Sequence, residues 1–216
     1  MNAPLRPISG AMILTPIALN ELDTVLARYG SALPEAGIER AVFERIAASR
    51  TAIGGDEAAW HRDAVALAGT FGMHPVAEEP QRAFSWDGKS VRTLSEPAVL
   101  LHEVAHFQLA SPARRRLPDF GLGAGPETGR VAIADAALCV EPAQREAEEQ
   151  QASLLGILWE VELDQPAILA FQEQNWLEGA GRPSCAEFFT GVLRRLSAAG
   201  LIDEDGRPCR AVRITP

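Results

Sequence analysis

The chain has 216 residues, 47% hydrophobic and 23% charged, with a formal charge of −9 at pH 7. That composition belongs to a folded globular chain long enough to bury a core, and the acid excess argues against a nucleic-acid binder, whose surface must neutralise phosphates. No stretch approaches the roughly 18 uninterrupted apolar residues of a membrane helix. Residues Met1–Gly10 lack the apolar segment of a signal peptide. Cys139, Cys185 and Cys209 form no CxxC pair, which argues against a disulfide framework or a cysteine zinc site. The expectation is a protein of a reducing compartment, cytoplasmic by default, with no membrane or nucleic-acid partner.

In chain order, Thr15 and Pro16 open an amphipathic run through Leu19, Leu22, Val25, Leu26 and Tyr29 that Gly30 stops. A second run after Pro34 aligns Ile38, Val42, Phe43 and Ile46. Gly54-Gly55-Asp56 then recap the chain into a third, from Glu57 to about Ala68. Between residues 71 and 94 prolines punctuate the chain, and Phe84 to Val91 reads as a hairpin around Asp87-Gly88. Ser95-Glu96-Pro97 starts a helix that runs through Leu109 to Ser111-Pro112, followed by a glycine-rich loop from Leu117 to about Arg130. A long helix is expected from Pro142 to about Leu163, a short one from Phe188 to Ala199, and a final hairpin around Asp205-Gly206. The fold class is therefore α+β: one mainly helical domain over residues 1–216 with a small β element.

His102 and His106 lie four apart on a predicted helix, so their side chains rise from one face a turn apart and can reach one metal ion. Glu103, between them, can act as a base or hold a water. The surrounding helix is apolar (Val99, Leu100, Leu101, Val104, Ala105, Phe107, Leu109), which puts at least one histidine near the core. There an imidazole needs partners, and a metal supplies them. The remaining histidines, His61 and His74, read as structural or exposed. A third protein ligand is needed, and Glu141, Glu146, Glu148 and Glu149 at the start of the later helix are the candidates. Zinc peptidases with this kind of helix often draw a glutamate from a following one, whereas non-haem iron oxygenases use two histidines and one carboxylate. The residues are compatible with both. Arg114-Arg115-Arg116, just after the helix, read either as a solvated helix end or as a docking strip.

The stretch Leu101-His102-Glu103-Val104-Ala105-His106-Phe107, followed by Ala113-Arg114-Arg115-Arg116-Leu117-Pro118-Asp119-Phe120-Gly121, resembles the elongation factor P hydroxylases. That family has a His-Glu-x-x-His helix ending in an aromatic residue, then Ala-Arg-Arg-x-Leu-x-Asp-Phe-Gly, then a glutamate-bearing segment before a long helix. Glu146 to Leu155 is similar to the last of these, with Glu149 at the metal-side carboxylate. Phe171-Gln172, Gly181-Arg182-Pro183 and Phe188 echo the C-terminal half. The resemblance covers residues 84–198 as a metal-binding hydroxylase-like core and leaves residues 1–70 as a helical N-terminal extension. It departs from the family at Leu122 to Arg130, which lacks the family's aromatics, and at Gln150-Gln151-Ala152, where the family has lysine and proline.

The resemblance implies oxygen-dependent hydroxylation at mononuclear iron, with His102, His106 and Glu149 holding Fe(II). The substrate it implies is a modified lysine of a translation factor, elongation factor P or a related acidic protein, docked on the basic strip. Glu103 would orient or carry protons, Arg115 would serve the reaction, and Asp119 would anchor Arg114 or Arg115 or orient a metal-site histidine. The alternative is a zinc-dependent peptidase or hydrolase in which Glu103 is the general base.

Overall fold

A computed structural model describes residues 17–215. Eight α-helices and one two-stranded sheet are formed among them: α1 (Leu19–Ala32), α2 (Ile38–Ala48), α3 (Glu57–Thr70), β1 (His74–Val76), β2 (Ser90–Arg92), α4 (Pro97–Leu109), α5 (Val131–Ala136), α6 (Pro142–Glu162), α7 (Ala167–Glu173) and α8 (Pro183–Ala198). The mainly helical α+β class holds. No helix among the described residues is long and apolar enough to cross a membrane.

The centre of the fold is α4 against α6. Pro97 sets the first turn of α4, where its missing N–H costs nothing. Leu100, Leu101, Val104 and Ala105 are fully buried, as are Leu154, Leu155 and Ile157 of α6. The two helices approach closely because residue 156 is glycine. A Cβ there would lie 3.3 Å from both Cα and N of His102, tighter than packing ordinarily allows. α3 packs on α4, while α7, α8 and α2 pack on α6.

The first helices share this core rather than forming an appendage. Tyr29 stacks on Phe43 at 5.0 Å and meets the edges of Phe171 and Phe189, and α1 to α3 contribute to the same buried cluster as α4 and α6. Asp56 caps α3 by accepting from the Ala59 N–H at 3.1 Å. The expected helix start at Thr15-Pro16 lies outside the described residues.

Both expected hairpins shrink to single bridges. At Asp87-Gly88 the Asp87 carboxylate accepts from the N–H groups of Lys89 (3.0 Å) and Ser90 (2.7 Å), and only Trp86 and Val91 pair in antiparallel fashion. Residues Ser90–Arg92 pair instead in parallel with His74–Val76. Near the C-terminus Ile202 pairs with Pro208 around an Asp203-centred turn. The chain then runs on along α4, where the buried Gln108 side chain donates to the carbonyls of Cys209 (2.8 Å) and Ala211 (2.7 Å) and accepts from Trp159 Nε1 (2.7 Å). Helices α5 and α7 were not expected; at six and seven residues they are too short to show a period. α8 starts at Pro183, earlier than the expected Phe188, because proline again occupies the first turn.

Two outcomes follow from this packing. Gly156→Val forces α6 away from the His102 backbone, and denaturant unfolding should show a loss of about 1–3 kcal/mol. Glu160, buried on α6, has its carboxyl pushed up to about 8 by burial, with Glu173 adding repulsion. Below pH 4.5 folded and unfolded chains both hold this proton; between 4.5 and 8 only the folded chain does. Stability should therefore fall as pH rises through that window, by up to about 1.4 kcal/mol per pH unit. Glu160→Gln should flatten that slope, and an unchanged slope in the variant would remove Glu160 as its source.

Candidate metal centre

His102 and His106, one turn apart on α4, bring their Nε2 atoms to 2.9 Å of each other. Glu149, from the second turn of α6, places Oε2 at 3.4 Å from each. The circle through these three atoms has a radius of about 1.9 Å, so one ion at the roughly 2.0–2.2 Å typical of nitrogen and carboxylate ligands reaches all three from just off their plane. Among the described residues this is the group of histidines and acids that could hold a metal. Two imidazoles and one carboxylate are also a donor set that divalent zinc and iron both accept.

The neighbouring carboxylate has a different task. Glu148 is buried and bonded through both oxygens to Arg114, at 2.6 and 2.7 Å. Its Oε1 stands 3.6 Å from Nδ1 of His106, a buried nitrogen with no hydrogen-bond partner. A proton on Nδ1 directed at Glu148 leaves Nε2 as the metal donor, the usual division of an imidazole between a carboxylate and an ion. Consecutive positions on a helix point about 100° apart, which is why Glu149 faces the histidines while Glu148 turns beneath them. Glu141 and Glu146 are exposed and outside the cluster.

The run after α4 wraps the buried side of His106. Phe120 stacks on His106 at 5.8 Å and on Trp86 at 5.5 Å, and its carbonyl accepts from Arg114 Nε at 2.9 Å. Asp119 and Phe120 both adopt left-handed backbone angles, with φ of 41° and 55°. That turn aims the Asp119 carboxylate at the Trp86 N–H (3.3 Å) and the Thr128 hydroxyl (2.6 Å). Asp119 therefore anchors neither arginine nor a histidine, contrary to expectation. Arg115 lies outside the cavity: it donates to the carbonyls of Phe107 (2.7 Å) and Arg213 (2.5 Å), with its guanidinium over the Phe107 ring. Of the three arginines only Arg116 is exposed, so the expected basic docking strip is not presented. Of the other histidines, His61 meets the Thr93 carbonyl through Nε2 at 2.5 Å and His74 is exposed in β1.

No family model, curated protein or solved structure matches the chain. Its own geometry carries the reading.

The donors face a cavity of about 390 Å³ whose walls also include Glu96, Glu103, Asp119, Glu127 and Glu173, against one arginine, Arg145. Burial pushes the Glu103 carboxyl up to about 8, an effect that the positive His106 opposes and the neighbouring Asp119, Glu149 and Glu127 charges reinforce. Burial also raises Asp119. At the donors, burial and His106 lower His102. Burial works against charge on His106 too, but Glu149 and Glu148 overcome it and hold His106 up at about 10. Glu149 is drawn down, burial being outweighed by the His106 charge and hydrogen bonds to both histidines. A positive charge on His106 is thus paired against the Glu149 carboxylate, at the place a cation would take.

Glu149→Ala removes the anionic donor and should weaken zinc binding by about 10–100-fold or more while leaving the fold intact, since its side chain is 44% exposed. Glu148→Ala should instead unfold the chain more readily, by about 3–5 kcal/mol, because Arg114 is left charged and buried without a partner. Equal effects of the two variants on stability and on zinc titration would erase the distinction between ligand and support.

Proposed function

We propose that the protein is a non-haem iron hydroxylase that uses dioxygen to oxidise a cationic, lysine-derived side chain of a protein substrate, such as a translation factor. The observation that carries this reading is the pairing of a two-histidine, one-carboxylate donor set with an acid-walled cavity. His102, His106 and Glu149 would hold the ion; Fe(II) there would supply dioxygen activation, one oxygen atom entering the substrate C–H bond and the other leaving as water with two electrons and two protons, the electrons from an external reductant.

The chain's own residues do the rest. Glu96, Asp119, Glu127 and Glu173 create a negative potential that draws an ammonium into the cavity and orients its aliphatic stem. Glu103, held protonated near neutrality, offers a proton at its carboxyl oxygen within the same cavity. Arg114 fixes Glu148, and Glu148 with Phe120 keeps the His106 ring in one orientation. The residues from Ala113 to Gly121, on which the resemblance to the elongation factor P hydroxylases rests, supply much of this frame, which supports the hydroxylase reading. Acid walls favour a cationic group and disfavour an acidic one, so the substrate is defined by its amine.

One observation favours a second reading. Glu103 shares the cavity with the donors, as the general base of a zinc hydrolase must. The two separate cleanly in experiment. Protein purified without oxygen should bind one Fe(II) per chain and, when reduced, consume oxygen in the presence of a peptide bearing the lysine-derived side chain. The zinc-loaded form should cleave no peptide. Robust cleavage by the zinc form, lost in Glu103→Gln with zinc retained, would overturn the hydroxylase in favour of the hydrolase.

A further inference from the structure

Two of the three candidate donors, His102 and Glu149, line a second cavity as well as the acid-walled one. It measures about 480 Å³ and lies between α6, α8 and the turn after α7, with His102 of α4 on its border. Gln174 borders both. The second space has a different character: apart from Glu149 and Glu178 its polar lining is neutral, and its floor is aromatic.

Three features define what it can hold. Trp176 is buried, braced by Phe171 at 5.8 Å and by its indole N–H donating to Ser153 Oγ at 2.7 Å. Phe188, 5.2 Å from Trp176, is 43% exposed, one of the few large apolar side chains in the described residues left open to solvent. The side-chain amides of Gln174 and Asn175 line the same cavity, and neither has a hydrogen-bond partner among the described residues. Asn175 is held in a left-handed conformation, φ 62°, which fixes where its amide starts.

A carboxamide presents one acceptor and two donors in a plane, the complement of a peptide group. Two unpartnered carboxamides beside an exposed aromatic ring therefore match an uncharged stretch of polypeptide with an apolar side chain, while the Glu149 and Glu178 carboxylates in the lining disfavour an anion. We propose that this second cavity seats an uncharged peptide segment of the substrate protein, its backbone on Gln174 and Asn175 and an apolar side chain on Phe188, while the amine-bearing residue enters the acid-walled cavity. The inference rests on the reading of His102, His106 and Glu149 as the reactive centre for its purpose. It adds the surface by which that centre selects a polypeptide rather than a free amino acid.

The test uses the full chain, zinc-loaded, with acetylated and amidated Gly-Leu-Gly as probe and Gly-Glu-Gly as its charged counterpart, followed by heteronuclear NMR. The expected result is saturable shifts at the Trp176 indole and at the Gln174 and Asn175 amides. Phe188→Ser and Gln174→Met should each weaken the interaction by about fivefold or more, corresponding to about 1 kcal/mol. Zinc stoichiometry, measured on the same samples, should not change in Phe188→Ser. Three results would each overturn the seat: no saturable shift at these groups up to about 10 mM peptide, equal binding of the glutamate peptide, or binding weakened by Glu127→Gln but not by Phe188→Ser. Loss of zinc binding with peptide binding intact would instead sink the metal reading and leave the seat standing.

Discussion

The architecture depends on how closely α4 and α6 approach at Gly156. Because no side chain separates the helices there, the backbone of His102 rests on α6, and Glu149 on that same helix comes within reach of both histidines. A wider crossing would leave two imidazoles on one helix and a carboxylate too far away to share an ion. Leu100, Leu101, Val104 and Ala105 of α4 and Leu154, Leu155 and Ile157 of α6 are fully buried, so the site stands on a rigid base. Precision at the donors and rigidity in the core come from one packing decision.

Charge is arranged around that base in two layers. Beneath the histidines, Arg114 neutralises Glu148 in a buried pair that is satisfied on both sides, an arrangement that tolerates little disturbance because either partner alone is costly. Above them, carboxyl groups accumulate with a single arginine among them. Burial keeps Glu103 protonated near neutrality, which limits the repulsion that so many acids would otherwise bring to one cavity. Part of the net charge of −9 is therefore concentrated around the His102–His106–Glu149 group.

Much of this was legible in the chain alone. The spacing of His102 and His106 on an apolar helix, the proline that starts it, and the glutamates at the head of the later helix were enough to point to the group that the fold brings together. Choosing Glu149 over Glu148 needed either the resemblance or the coordinates, since adjacent helix positions differ only by rotation, and rotation is set by what packs underneath. The roles of the arginines were misread for a related reason. Three in a row look like a surface, yet Arg114 is buried against a carboxylate 34 residues on and Arg115 is half-buried, held by main-chain carbonyls from α4 and the C-terminal segment. The hairpins failed where an aspartate captured the neighbouring N–H groups before strands could pair. The second cavity left no mark in local pattern, because its walls come from four separate parts of the chain: α4, α6, the turn after α7, and α8.

Asp119 and Phe120 are consecutive left-handed residues, neither of them glycine, and such positions cost on the order of 1–3 kcal/mol each. Phe120 cannot become glycine without losing its stack on His106 and Trp86, and a β-branched residue at either position would raise the conformational cost further. Gly121, at φ 69°, completes a third left-handed step, with Cys139 Sγ 2.6 Å from where a Cβ would sit. This makes Asp-Phe-Gly a fingerprint with a mechanical basis. Two histidines four apart arise readily in any helix-rich proteome, whereas this three-residue reversal is tolerated only where an aromatic ring, an acid and a bare backbone are each required. For tracing distant kin of this chain, the turn is the more discriminating query than the histidine pair it packs against.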